Sequence, residues 1–154
     1  MELQRASAQD LDTIFRIVRD TVRDTYAEPD YPSGVVDFFL MLHSREQIRQ
    51  DLETCPHWLL LDGTAPVGTG CVKGDHISRV YILPGHQGRG GGALLMDRLE
   101  RELFHAHNTA WLDPSRQAIP FYEKRGYTLV SHEDGVLPNG VPLAHDVMKK
   151  ERPQ

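Results

Sequence analysis

No part of this sequence stays apolar for long. The longest uninterrupted run, Phe38 to Leu42, is five residues, against the roughly 20 needed to cross a bilayer, so a transmembrane helix is excluded and no membrane partner is expected. Met1-Glu2-Leu3-Gln4-Arg5 passes directly into polar residues. A secretory signal is therefore not expected, and a cytoplasmic location is. Cysteine is scarce: Cys55 and Cys71 form no disulfide framework and suit a reducing compartment. Positive charge is not in excess, with 17 Lys and Arg against 22 Asp and Glu, which argues against a nucleic-acid binder held by counterion release. Metal-ligand spacing is also missing. His132, Glu133, Asp134, His145 and Asp146 match no zinc pattern, and Cys55-Pro56-His57 has no second pair, so no metal is expected.

What is present suits one folded unit. At 154 residues with 40% hydrophobic and 25% charged side chains, the chain has room for one core and not two. A single domain over 1–150 with a tail at 151–154 is expected. Leu11, Ile14, Phe15, Val18, Val22 and Tyr26 recur at helical spacing after Ser7 and Asp10, both able to cap a first turn. Further helices are predicted through Val36 to His43 and over Arg45 to Glu53. His57 to Leu61, Pro66 to Val72 and Ile77 to Ile82 are short strands separated by Asp62-Gly63 and Gly74-Asp75, an antiparallel meander. A helix from about Gly92 to His107 and a strand over Thr109 to Asp113 follow. With the preceding strand they make a βαβ unit, whose two strands must be parallel. Ser115 is placed to cap a helix through Arg125 with Gly126 at its C-terminal left-handed position, Tyr127 to Val130 is a strand, and a last hairpin turns at Pro138-Asn139-Gly140 into Val141 to Lys149. Trp58 and Trp111 are expected in the core. Asp97 with Arg101, and Arg98 with Glu102, have the spacing of helix-surface ion pairs.

Glycine is unevenly spread. Five of the thirteen (Gly85, Gly88, Gly90, Gly91, Gly92) fall within eight positions, between a strand and a helix. Glycines let consecutive N–H groups converge and a ligand approach closely, while the helix start adds partial positive charge. An anion such as a phosphate belongs there, with Arg89 as a charged contact. Gly88 to Ala93 also satisfies a dinucleotide fingerprint, with Asp113 twenty residues after Ala93. However, that fingerprint starts five residues after Leu83, and only 41 residues follow Asp113, too few for a second nucleotide-binding half. No Lys-Ser or Lys-Thr follows the glycines, so the Walker pattern fails.

Gln87-x-x-Gly90-x-Gly92 after a strand resembles the acyl-CoA loop of the GNAT superfamily of N-acetyltransferases. A second block, Ala118-Ile119-Pro120-Phe121-Tyr122-Glu123-Lys124-Arg125-Gly126-Tyr127, is similar to that superfamily's helix and strand around A-x-x-F-Y-E-K-x-G-F. The match covers about residues 77–130. The resemblance implies an α/β fold of the α+β type: a mixed, mostly antiparallel sheet with a central parallel pair and helices on both faces. It implies acetyl-CoA as co-substrate, with Gln87, Gly88, Arg89, Gly90, Gly91, Gly92 and Ala93 around its pyrophosphate and Tyr81, Ile82 and Leu83 pairing with its pantetheine like an added strand. Ser115 stands where many members have Asn in contact with the cofactor.

By the same resemblance the chain is an enzyme that moves an acetyl group directly to a primary amine, small-molecule or peptide, in a ternary complex. In such a site the Ile82 N–H is expected to polarise the thioester carbonyl, and Tyr122 occupies the family position of the acid that protonates the departing thiolate. His76 shares a strand face with Ser78 and is the candidate base, since an imidazole titrates near neutrality; an exposed turn histidine is the plainer reading. Tyr26, Tyr31 and His43 are expected to wall the acceptor pocket. Two other readings stay open: a noncatalytic acyl-CoA-binding regulatory module and a dinucleotide-binding oxidoreductase. A homodimer is the expectation for assembly from base rates alone.

Overall fold

The computed structural model describes residues 1–154. The elements run β1 (Glu2–Arg5), α1 (Leu11–Thr25), α2 (Val35–Leu42), α3 (Arg45–Thr54), β2 (His57–Asp62), β3 (Ala65–Lys73), β4 (His76–Ile82), α4 (Gly91–Ala106), β5 (Thr109–Leu112), α5 (Ile119–Lys124), β6 (Thr128–Glu133) and β7 (His145–Glu151). The strands form one seven-stranded sheet in the order β1-β2-β3-β4-β5-β7-β6. Only β4 and β5 are parallel, as a helix crossover between them requires. Helices cover both faces. Ile14, Ile17, Val18 and Val22 of α1 bury against Ile48 and Leu59 on one side. Leu95, Met96, Leu99 and Leu103 of α4 bury with Tyr127 and Met148 on the other. Alternation along a strand sends successive side chains to these two cores.

Two local features shape the centre of the sheet. The β3–β4 register slips between Thr69 and Cys71, and across from that slip Arg79 takes a left-handed conformation, φ +56°. Such a bulge bends and twists the strand that carries it. Past it, β4 leaves β5. The two are in register only at His76 and Trp111, with the Trp111 N–H donating to the Asp75 carbonyl at 2.9 Å, and beyond that point they splay apart. Helix α4 meanwhile sits close on the sheet because Gly91 carries no side chain: a Cβ there would lie 2.6 Å from Leu60 Cδ2.

Several sequence expectations change. Glu2–Arg5 is an edge strand paired with Leu61–Trp58, too short to show a period. Ser115 does not cap a helix with its side chain, and Arg116–Ala118 is a 3-10 turn before α5. The final strand starts at His145; the expected turn at Pro138-Asn139-Gly140 forms, with Leu137 N–H donating to the Val141 carbonyl at 2.7 Å, but around a lone Val136–Pro142 bridge and apart from that strand. Glu151 completes β7, and Arg152 donates to the Phe104 carbonyl at 2.9 Å, so the expected tail begins two residues later. Trp58 and Trp111 are partly buried, and Trp58 packs against the α4-side core. Arg98 lies 4.7 Å over the Trp58 ring, whose Nε1 donates to Glu102 at 2.7 Å, and Lys149 lies over Trp111. The predicted α4 surface pairs do not form either: Asp97 pairs with Arg125 and Glu102 with Arg5, because partners from neighbouring elements reach them first.

Candidate active site

The splay between β4 and β5 opens a cavity of about 660 Å³. Ile77 to Ile82 of β4 form one wall, and Leu112 to Ser115 with Phe121 and Tyr122 of α5 form the other. Helices α1 and α2 close one end through Thr21, Thr25, Tyr26, Phe39, Leu42 and His43. The edge of β4 that faces β5 is unpaired over this length, so it presents backbone groups to anything in the cavity. Leu83 N–H donates back to Val67 of β3 at 2.8 Å. Alternation therefore turns the Ile82 N–H the other way, into the splay.

The glycine loop closes the mouth. None of the N–H groups from Gln87 to Ala93 donates to a backbone carbonyl, and the first such bond of α4 is Leu94 N–H to Gly90. Gly88 and Gly90 are left-handed, φ +73° and +85°, and no atom lies within 4 Å of where their Cβ would sit. The result is a run of unused donors at the positive end of a sixteen-residue helix, an arrangement that favours an anion. Gly88, Gly90, Gly92 and Ala93 line the cavity; Gly91 faces Leu60 and serves packing. Arg89 turns away, with its Nη1 3.3 Å from Asp62. Gln87 lines the cavity, and its side chain donates to the Ile82 carbonyl at 2.7 Å, which leaves the Ile82 N–H as that residue's open backbone group.

Tyr81 and Ile82 line the cavity, whereas Leu83 packs into the α1-side core. Ser115 faces the cavity with no protein partner for its hydroxyl, which answers its failure to cap. Tyr122 is buried, its ring edge-on to Phe121 and Tyr127 at 5.1 and 5.6 Å. Its hydroxyl, on the cavity wall, makes no hydrogen bond within the protein. Burial pushes its pKa up to about 12, with Arg125 opposing and Glu100 reinforcing, so the group is a protonated donor at neutral pH. His76 is a correction. It stands at the far end of β4, where the strand is still paired with β5, half-exposed with Nδ1 2.8 Å from Asp75 Oδ1, and it does not reach the cavity.

Tyr26 and His43 line the cavity; Tyr31 does not. Tyr31 donates to Gln117 at 2.6 Å and lines a neighbouring cavity of about 470 Å³ under the β6–β7 connection. Asp113, expected at a ribose in the dinucleotide reading, borders both cavities and is hydrogen-bonded to His145 at 3.2 Å.

A buried polar cluster beneath the cavity has no counterpart among the sequence expectations. Arg79, 5% exposed, reaches His43 Nδ1 and His57 Nε2 at 3.1 Å each and Asp51 at 2.8 Å. Its only sequence signal was a charged residue at the centre of an apolar strand. Burial first and the Arg79 charge second hold His43 down to about 3, and His57 is lowered chiefly by burial. Both are therefore neutral in the native state, while in the unfolded chain they titrate near 6.5. Acidification protonates the unfolded chain first. Stability present above about pH 6.5 is thus expected to fall as pH moves from there toward about 3. Urea midpoints at pH 7.5 and 5.0 check this: the drop should shrink in a His57→Gln variant, and an undiminished drop would count against it.

The chain is similar throughout to known acetyltransferases. The family model described as an acetyltransferase (GNAT) domain matches residues 26–151. The uncharacterized N-acetyltransferase YjcF of Bacillus subtilis strain 168 is 30% identical over 104 residues, covering 64% of this chain and 74% of that protein. A GCN5-related N-acetyltransferase from Rhodopseudomonas palustris superposes with a TM-score of 0.87 at 25% identity, covering 98% of this chain and 95% of that one. The PaiA N-acetyltransferase of Thermoplasma acidophilum, solved with coenzyme A, gives 0.77 at 16% identity over 98% of both chains. Together with the splayed β4–β5 pair and the glycine loop that opens α4, the matched family model makes this chain a member of the GNAT acetyltransferase family.

Proposed function

We propose that this protein transfers an acetyl group from acetyl-CoA directly to a primary amine within a ternary complex. The observation that carries the reading is the convergence, on one cavity, of an unpaired strand edge, a run of unused N–H donors and an unpartnered tyrosine hydroxyl. The residues fit the co-substrate. Backbone N–H groups between Gln87 and Ala93 suit its pyrophosphate, which explains how a chain of net charge −5 holds a polyanion without a basic patch. The open edge of Tyr81 and Ile82 suits an extended amide-bearing arm, which pairs by strand addition, and Ser115 offers a hydroxyl opposite.

Acetyl-CoA supplies an activated acyl group; the protein supplies position and charge. The Ile82 N–H is a fixed donor for an oxygen that gains negative charge during transfer. Tyr122 holds the proton that a departing sulfur needs. Burial that raises a phenol also raises the proton affinity of a thiolate in the same pocket, so the transfer need not be uphill. Tyr26 and His43 face the acceptor end. A purely acyl-CoA-binding module has no use for a hydroxyl left unpartnered beside the strand edge.

Thermal-shift titration with acetyl-CoA, CoA and NAD, followed by thiol release across a panel of amines, tests the reading. Either CoA species at about 100 times its dissociation constant should stabilise by about 2.7 kcal/mol, NAD should not, and at least one amine should release thiol. Stabilisation by NAD alone would overturn it, and binding without thiol release for any amine would favour the module.

A further inference from the structure

Arg79 is an unusual residue to find in a left-handed conformation, because a non-glycine side chain there is strained and persists only where its surroundings hold it. Its surroundings are His43 just after α2, Asp51 of α3 and His57 of β2. These contacts determine where the protons are. A guanidinium only donates, so both histidine nitrogens that face it are acceptors. His57 then carries its proton on Nδ1 and gives it to the Cys55 carbonyl, 2.8 Å away. His43 accepts from Arg79 at Nδ1 and carries its proton on Nε2. That nitrogen has no partner in the protein, and His43 lies on the cavity wall with its ring edge-on to Tyr81 at 5.7 Å.

We propose that His43 Nε2–H, held in this tautomer by Arg79, binds a carboxylate of the acceptor, so that the amine acetylated is that of an amino carboxylate and not a plain alkylamine. The inference rests on the acetyl-transfer reading and narrows its substrate. A cation bonded at Nδ1 polarises the ring and strengthens the opposite N–H as a donor. The field behind it is positive, since Arg79 and Lys73 both lean on the one carboxylate of Asp51. Thr21 lies on the same end of the cavity, 2% exposed, with an Oγ1 that has no hydrogen-bond partner in the protein. Asp113 is the single carboxylate on the cavity wall and stands across the splay, beside Ser115 and on the side of Tyr122. Asp113, whose Oδ1 also faces His145 Nε2 at 3.2 Å, thus puts the negative charge of the cavity on the wall opposite His43, and the His43 end suits an anionic oxygen. Tyr26, Phe39 and Leu42 supply an apolar wall between α1 and α2 for the rest of the molecule.

The test compares thiol release for matched sets differing only in the group beside the amine: phenylalanine, phenylalaninamide and phenethylamine, and leucine, leucinamide and isoamylamine. In the wild type, kcat/KM for the carboxylate is expected to exceed that for the plain amine at least about tenfold, with the amide between. His43→Phe, which removes the donor, should bring that ratio to about one. His43→Gln, which restores an N–H donor, should recover part of it, and Arg79→Lys, which keeps the charge and loses the Nε bond to Nδ1, should lower it. Plain amines used as well as or better than their carboxylates, or an unchanged ratio in His43→Phe, would overturn the proposal while leaving acetyl transfer standing. Bound acetyl-CoA with no turnover of any amine would overturn both.

Discussion

Tyr122→Phe is expected to lower turnover by roughly 10- to 1,000-fold while leaving affinity for acetyl-CoA within a few-fold. The substitution removes one oxygen and keeps the ring that packs between Phe121 and Tyr127, so the cavity keeps its shape. Because the hydroxyl makes no hydrogen bond within the protein, its loss orphans no internal group and should cost little stability. What disappears is a proton on the wall of the cavity. Stopped assays with acetyl-CoA and a responsive amine, beside binding titrations of CoA, separate the two effects. Wild-type turnover in Tyr122→Phe would end the acid assignment, and a matched loss of CoA affinity would move Tyr122 into binding.

Glu100→Ala is expected to destabilise the fold by about 3 to 5 kcal/mol, the range for removing one partner of a buried charge cluster. Glu100 is 7% exposed on α4, and its carboxylate takes Lys150 at 2.7 Å, the Tyr127 hydroxyl at 3.1 Å and Arg125 at 3.2 Å. Three elements after the crossover, α5, β7 and the start of β6, are thereby tied to the helix that carries the glycine loop. Truncation leaves two cations with reduced neutralisation in a largely water-excluded place. A lowered urea midpoint with an unchanged slope is the expected signature. Glu100→Gln should fall between wild type and Glu100→Ala, since an amide still accepts one hydrogen bond. A loss below 1 kcal/mol in Glu100→Ala would show that the cluster is solvated enough to be dispensable.

Much of the fold was legible in the chain because its signals are local. Helical period marks α1 and α4, the Asp62-Gly63 and Gly74-Asp75 turns divide the meander, and a helix between two strands demands a parallel pair. The glycine loop was legible for the same reason, since it is contiguous and lies between a strand and a helix. Tyr122 was placed by its neighbours in one short block. Long-range partners carry no such signature: Trp58 and Trp111 are partly buried with cations over their rings, while Asp97 and Glu102 found partners on other elements and not one turn away.

The end of the cavity between α1 and α2 belongs to tertiary structure alone. His76 and Arg79 stand three residues apart on one strand, and nothing local says that the first remains in a paired turn while the second enters the sheet at a bulge. Tyr31 and His43 likewise come from neighbouring segments, yet only His43 reaches the cavity of the glycine loop. By itself the sequence determined the α/β fold and the acetyltransferase family and marked the glycine loop and Tyr122 as candidates, because periodicity, turn chemistry and short motifs act over a few residues. Which donors meet in the cavity, and which nitrogen of His43 carries the proton there, were decided only when β2, β4, α2 and α3 packed around one guanidinium, because a buried charge takes its partners from whatever elements the fold brings within hydrogen-bonding distance.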